Sequence, residues 1–446
     1  MVNVLGGYRI EGRRAAEIAT SVENAVSAGD LAPGQALPPL RELAAELGVN
    51  PNTVAAAYRA LRERGVVETA GRRGTRVRAR PAHTPREVRG PAVPPGARDL
   101  TKGNPDPALL DSLGPALAAA AAEAAAAPVL YGGPPVHPDL ERVTGERFAR
   151  DGLPEGPLAV TSGALDAIER VLAARLRPGD AVAVEDPGWG ALLDLLPALG
   201  LRPVPVAVDD AGPEPGPFAR ALGQGVRAVI VTARAQNPTG AALTPARAEE
   251  LRAALAEHPD VLVVEDDHGD GIVSVPLSPL AGSTKRWAFT RSAAKAHGPD
   301  LRVAVCTGDA DTVERVIGRQ RLGPGWVSHV LQGAVARLWA RRPAGASPAA
   351  RAYDERREAL LRALRARGVP ARGHSGLNVW VPVADETAAV AGLLHAGWAV
   401  APGARFRIAA PPAVRVTVAT LAPAEAVPLA DAVARAVRPP ASRRYG

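Results

Sequence analysis

The sequence predicts an α/β protein in three parts: a small basic head, a proline-rich connection, and a large domain built on a mainly parallel sheet. Three observations carry this. At 446 residues the chain exceeds what one compact core holds, so two or three domains are expected. Five short apolar runs between residues 158 and 305 alternate with helical stretches, the pattern of strands covered on both faces. Residues 1–80 carry 12 arginines against 8 acidic residues, a charge of +4 out of +7 for the whole chain. That imbalance points to an anionic partner for the head. The single cysteine, Cys306, excludes an intrachain disulfide framework and fits a reducing compartment. No apolar run reaches membrane length and no leader opens the chain, so a cytoplasmic protein without a membrane partner is expected. No metal site is read from the sequence.

In the head, residues 1–80, Arg13 to Ala28 reads as a helix with Ile18, Val22 and Val26 on one face, ending at Gly29. A turn-rich stretch from Leu31 to Pro39 leads to a short helix over Leu40 to Leu47, stopped by Gly48. Asn50 is an N-cap, and Pro51 takes the first position of a helix to about Arg64, where a missing N–H costs nothing. Two short helices joined by a glycine-containing turn have helix-turn-helix spacing. Val66 to Thr69 and Thr75 to Arg78 then alternate as strands around Gly71-Arg72-Arg73-Gly74, a hairpin that would form a wing.

In that frame the second helix of the pair lies in the major groove of double-stranded DNA. Asn52 and Thr53 face bases or phosphates and Tyr58 lies on the flank, while Arg41, Arg72 and Arg73 meet phosphates or the minor groove. A helix pair serving only dimerisation would show the same spacing. The run LAPGQALPPLRELAAELGVNPNTVAAAYRALRERGVV plus its wing resembles the winged-helix domain of the GntR family of bacterial repressors, over nearly all of residues 8–78. The resemblance implies DNA binding. Pro51 stands where that family often has a basic residue, so the operator sequence does not carry over.

Arg80 to Arg98 holds five prolines and neither a helical nor a strand period, which predicts a semi-extended tether over residues 81–100. In the large domain, residues 101–446, the apolar runs are Leu158-Ala-Val160, Ala181-Val-Ala-Val184, Ala228-Val-Ile-Val231, Val261-Leu-Val-Val264 and Val303-Ala-Val305. Ligand groups in such sheets gather at loops leaving the carboxyl ends of strands, and polar clusters follow these runs. Thr161-Ser162-Gly163-Ala164 opens a helix, where N–H groups and a hydroxyl make a phosphate seat, or simply a cap. Trp189, after Glu185-Asp186-Pro187-Gly188, offers an indole to stack on an aromatic ring, or a core side chain. In Gln236-Asn237-Pro238-Thr239-Gly240, Asn237 can donate to a phenolate oxygen. Glu265-Asp266-Asp267-His268 offers a carboxylate to a pyridinium nitrogen, and taken alone reads equally as acidic surface.

The remaining cluster is Ser292-Ala-Ala-Lys295-Ala-His-Gly-Pro299-Asp-Leu-Arg302. Its lysine is one of three in the chain, with Lys102 and Lys285, among basic residues that are otherwise arginine. An amine can form a Schiff base with a carbonyl, and a guanidinium cannot. Ser292 and Arg302 flank it as a donor and a forked cation suited to a phosphate. A solvated loop lysine is the alternative for the stretch by itself.

Serine-glycine, aromatic, asparagine, aspartate, lysine and arginine, in this order, resemble the fold-type I pyridoxal-phosphate enzymes of the aspartate aminotransferase class over about residues 100–420. The resemblance implies that fold, with a smaller C-terminal α+β subdomain, and pyridoxal 5'-phosphate as cofactor. It implies Lys295 as the Schiff-base lysine, Asp266 (or Asp267) as the pyridine partner, Asn237 as donor to the phenolic oxygen and Trp189 as the stacking ring. Ser162, Gly163, Ala164, Ser292 and Arg302 match the phosphate cup, to which Tyr131 would add a contact across a dimer. Arg415 matches the clamp for a substrate carboxylate. His268 stands where relatives carry a tyrosine bonded to the phenolic oxygen, and Ala294 where a serine is common.

Head, tether and large domain together resemble the MocR subfamily of transcriptional regulators. That implies a domain-swapped homodimer in which a small amino compound, or the cofactor itself, is sensed at Lys295. A working aminotransferase with a winged-helix head is the alternative. A pocket filled only structurally is a third.

Overall fold

In the computed structural model, the described residues are 8–28, 30–32, 34–63, 66–69, 74–77, 86, 92–342 and 347–437. The chain divides into two compact units. One is Met1–Pro85 with Arg177–Ala181 and Asp194–Pro203; the other is Arg86–Leu176 with Val182–Leu193 and Val204–Gly446.

In the head, α1 (Ala15–Ala28), α2 (Leu40–Leu47) and α3 (Pro51–Glu63) precede a hairpin of β1 (Val67–Thr69) and β2 (Thr75–Val77). Helix α1 starts later than its apolar period suggests, because the Glu17 carboxylate accepts the N–H groups of Arg13 and Arg14 just before it. Asn50 caps α3 by accepting from Asn52 N at 2.8 Å. The α2–α3 turn uses Gly48 at φ +65°, a left-handed conformation that costs a residue with Cβ. Ile18, Val22, Leu43, Val54, Leu61, Val67 and Val77 form one core. Tyr58 belongs to that core, which corrects its reading as a DNA contact. It is 1% exposed, and its hydroxyl donates to Pro38 O at 2.9 Å. Arg72 and Arg73 lie outside the described residues.

The first strand of the large unit is β3 (Arg98–Leu100), so the last residues of the expected tether are a strand. Its partner is 300 residues away, which no local pattern reveals. Then follow α4 (Gly114–Ala126), α5 (Pro138–Arg150), β4 (Leu158–Thr161), α6 (Ala164–Arg175), β5 (Ala181–Asp186), α7 (Gly190–Ala198), β6 (Arg202–Asp209) and β7 (Gly212–Pro213). Next come α8 (Pro215–Gly223), β8 (Ala228–Thr232), α9 (Pro245–Ala256), β9 (Leu262–Asp267), β10 (Arg286–Ser292), α10 (Ala294–His297) and β11 (Ala304–Gly308). The remainder is α11 (Ala310–Arg321), α12 (His329–Arg341), α13 (Pro348–Arg365), β12 (Asn378–Pro382), α14 (Glu386–His395), β13 (Trp398–Pro402), β14 (Ala413–Thr417) and α15 (Ala426–Val437).

The main sheet has the order β4-β11-β10-β9-β8-β5-β6-β7. Strands β5, β8, β9 and β10 run parallel, and β5, β8 and β9 are buried throughout, as continuous apolar runs require. Strand β11 runs antiparallel to both β10 and β4. The β10–β11 connection holds only the short α10 and a 3-10 turn, too little for a covering crossover helix. A second sheet, β12-β14-β13-β3, packs its apolar face on α13, α14 and α15 around Val379, Val414, Val416, Leu360, Leu393 and Leu429. This is the smaller α+β subdomain.

Candidate functional site

Strands β5, β8, β9 and β10 point their carboxyl ends at one cavity of about 330 Å³. Ala164, Trp189, Asn237, Asp266, His268, Ser292, Lys295 and Arg302 all line it, although they come from five separate segments of sequence. A second compartment of about 340 Å³ shares Gly103, Trp189, Asn237 and Lys295 with the first and adds Thr101, Lys102, Arg405, Phe406 and Arg415. Tyr131 is not part of either within this chain: it is 94% exposed, with its ring edge-on to Trp326.

Strand alternation settles the roles of the acidic cluster at the end of β9. Asp267 points away from the cavity, fully buried, and is gripped by Arg234 (3.0 and 2.7 Å) and Arg291 (2.8 Å). Burial favours its neutral form, but the two guanidiniums override this and hold the carboxyl well below the usual range. Asp267 is therefore spent on structure, and Asp266 is the one that faces the cavity. Asp266 Oδ2 lies 2.8 Å from His268 Nδ1. Its Oδ1 is buried with no hydrogen-bond partner among the described residues. A buried acceptor without a donor costs about 1–3 kcal/mol unless a ligand supplies the proton. A protonated pyridine nitrogen is a donor that fits this demand.

His268 departs from the expectation placed on it. Both ring nitrogens are engaged, Nδ1 with Asp266 and Nε2 with Ala235 O at 2.9 Å. In this arrangement the imidazole orients Asp266 and has no nitrogen left for a phenolic oxygen. Burial lowers its pKa, yet the charge and hydrogen bond of Asp266 more than offset this and leave it raised.

Lys295 sits on the single turn of α10, and its Nζ donates to Gly103 O. Nearby, Arg302 adopts φ +47°, an uncommon conformation for a residue with Cβ, and donates through Nη2 to Ser162 O. Gly163 makes this approach possible: at φ +106°, a Cβ there would lie 2.3 Å from Arg302 Nη2. Ser162 N donates to Asp166 Oδ2 at 2.8 Å, so this N–H is already used. The start of α6, Arg302 and the buried Ser292 nonetheless place a helix N-terminus, a guanidinium and a hydroxyl at one end of the cavity, a seat for an anion.

In the second compartment Arg415, 4% exposed on β14, donates through Nη1 to Asn237 Oδ1 at 2.9 Å and through Nη2 to Thr101 O. Its guanidinium lies 4.6 Å over the Phe406 ring. The Asn237 carbonyl is thereby used, leaving its NH₂ group as the donor. Sequence reasoning missed Gly103, Arg405 and Phe406, which reach the site from distant loops. It also missed the role of Asp186, whose carboxylate accepts the N–H groups of Ile408, Ala409 and Ala410 at 2.7–2.8 Å and so fastens the loop carrying Phe406.

Fold and site together define a class of protein: a winged-helix head joined to a domain of aminotransferase type. Residues 14–77 match the bacterial regulatory proteins of the gntR family, and residues 99–433 match the aminotransferases of class I and II. The chain belongs to the MocR-type GntR regulators, transcriptional regulators with an aminotransferase-like domain. It is 41% identical over 442 residues to the vitamin B6 salvage pathway transcriptional repressor PtsJ of Salmonella typhimurium, covering 96% of this chain and 99% of that protein. It is 31% identical over 281 residues, 59% of each chain, to the pyridoxine biosynthesis transcriptional regulator PdxR of Corynebacterium glutamicum. Among solved structures, a single mutant of Thermus thermophilus aspartate aminotransferase matches with a TM-score of 0.66 at 27% identity, over 76% of this chain and 92% of that one. No described helix is long and apolar enough to cross a membrane.

Proposed function

We propose that the chain is a cytoplasmic DNA-binding sensor that holds pyridoxal 5'-phosphate at Lys295 and changes its grip on an operator when that site changes state. The effector is a small amino compound or pyridoxal phosphate itself. One observation carries this reading: the buried Oδ1 of Asp266, lacking a donor, lies in the same cavity as the Lys295 amine. When bound, the cofactor supplies an aldehyde that combines reversibly with amines and a ring that withdraws electrons.

The residues around it have separable tasks. Lys295 provides the amine, and Asp266, held by His268, accepts from the ring nitrogen. Arg302, Ser292 and the start of α6 (Ser162, Gly163, Ala164) seat the phosphate, Trp189 walls the ring, and Asn237 donates to its oxygen. Arg415 takes the carboxylate of an amino ligand in a forked geometry that lysine could not reproduce. Tyr131, exposed in this chain, would serve the phosphate of a second copy in a domain-swapped homodimer. In the head, the exposed Arg41 and Asn52 and the half-buried Thr53, with Arg72 and Arg73 of the wing, meet DNA. Regulation requires the effector to favour one conformation over the other, since equal affinity shifts nothing. The names of PtsJ and PdxR, a vitamin B6 salvage repressor and a pyridoxine biosynthesis regulator, support a B6-linked effector.

The test is an absorbance titration of the purified full-length protein with pyridoxal phosphate. A visible band should form, vanish in Lys295→Ala with the circular-dichroism spectrum unchanged, and respond to the effective amino compound. A band that persists in Lys295→Ala overturns the assignment. The rival reading, a working aminotransferase, draws on the carboxylate clamp beside the amine. Sustained turnover of an amino donor with a keto acid, without sequence-specific DNA binding, would select it.

A further inference from the structure

The two cations on which the proposed function depends are both engaged by one short segment. Thr101-Lys102-Gly103 follows β3 directly, and it accepts from Lys295 Nζ at Gly103 O and from Arg415 Nη2 at Thr101 O. Gly103 lines both compartments, and a Cβ on it would stand 3.4 Å from Arg415 Nη1. The segment has its own brace. Asp99 Oδ1 accepts from Thr101 N at 2.9 Å and from Thr101 Oγ1 at 2.6 Å, and Asp99 Oδ2 lies 3.4 Å from Lys102 Nζ. This is a local turn closed by an aspartate side chain. Asp99 lines neither compartment.

A ligand that takes both cations competes with these carbonyls for their N–H groups. When an amine condenses with an aldehyde the carbonyl oxygen leaves as water and the nitrogen keeps at most one N–H, so the ammonium that donates to Gly103 O is lost. A carboxylate held by both Nη atoms of Arg415 competes there with Thr101 O and Asn237 Oδ1. The segment is also covalently continuous with the tether: residues 98–100 pair with β13, and the chain before them is the proline-rich stretch.

We propose that Thr101–Gly103 is an internal strap that competes with ligand for Lys295 and Arg415, and that Asp99 is the positioning residue setting its strength. The proposal rests on the pyridoxal-phosphate reading above. It makes a prediction opposite in sign to simple damage, because loosening a competitor strengthens ligand binding.

The experiment titrates pyridoxal phosphate into the cofactor-free full-length protein, following the visible band, and measures hydrogen–deuterium exchange at residues 98–103 with and without it. Loss of the brace in Asp99→Ala should tighten binding about threefold to tenfold, the worth of one or two hydrogen bonds. Asp99→Asn, which keeps an acceptor for Thr101, should stay near wild type. In the wild type, loading should raise exchange at 98–103; in cofactor-free Asp99→Ala, exchange should already be high. Equal or weaker binding in Asp99→Ala, or no change in wild-type exchange on loading, overturns the strap while leaving the cofactor assignment standing. Absence of any band in the wild type overturns the cofactor assignment, and the strap with it.

Discussion

At Gly163 one missing methyl group decides whether Arg302 can reach the start of α6. The Cβ of an alanine would lie 2.3 Å from Arg302 Nη2, and φ +106° would be strained as well. Gly163→Ala should weaken pyridoxal phosphate binding at least about tenfold, the scale of losing a charge-assisted phosphate contact. Unchanged affinity in an absorbance titration would remove Arg302 from the phosphate seat. The rarity of lysine singled out Lys295 in the sequence, and it lines the cavity. Tyr58 was misread although the signal was present. It falls four residues after Val54 and three before Leu61, on the stripe of α3 that packs inward.

Among elements, the end of β9 shows how a strand's two-residue period assigns chemistry. Neighbouring aspartates face opposite sides, so one is consumed by Arg234 and Arg291 and the other is left for the cavity. The sequence favoured Asp266 by resemblance but did not exclude Asp267, because the arginines that discriminate between them come from β8's trailing loop and β10. The loop at 403–410 is governed in the same non-local way. Asp186, at the end of β5, accepts three of its N–H groups, and Gly188 N donates to Phe406 O at 2.7 Å. Asp186→Ala should speed hydrogen exchange at Ile408, Ala409 and Ala410 and destabilise the large unit by about 1–3 kcal/mol, the cost of leaving such groups unpaired. Exchange unchanged at those three amides would show that the loop is held by something else.

At the scale of the whole molecule, two fully buried carboxyls make the sheet sensitive to alkali. Burial pushes Glu265 up to about 8 and Glu185 up to about 7, both from an ordinary 4.5. The folded protein therefore retains protons that the unfolded chain has already released, so stability falls as pH rises towards the folded values. The raised His268 acts in the same direction, whereas His297, lowered chiefly by burial, acts only below its ordinary 6.5. Between pH 6.5 and 8.5 the large unit should lose at least about 1 kcal/mol, a fall of about 2 °C or more in its thermal midpoint. Calorimetry of Glu265→Gln should show a shallower fall; equal slopes in mutant and wild type would exonerate this side chain.

Local chemistry was enough to place the head's helices and hairpin, most central strands of the large unit, and the clusters at their carboxyl ends. Apolar period, caps and glycine positions act over a few residues, and each of those features is local in that sense. Three things awaited the folded chain: the strand at 98–100, the reversal of β11, and the division of labour among Asp266, Asp267 and His268. The strand at 98–100 pairs with β13, 300 residues on; β11 is fixed between β10 and the far earlier β4; and the arginines that take Asp267 lie 24 and 33 residues from it, contacts set by packing and hydrogen bonding that no short window of sequence contains.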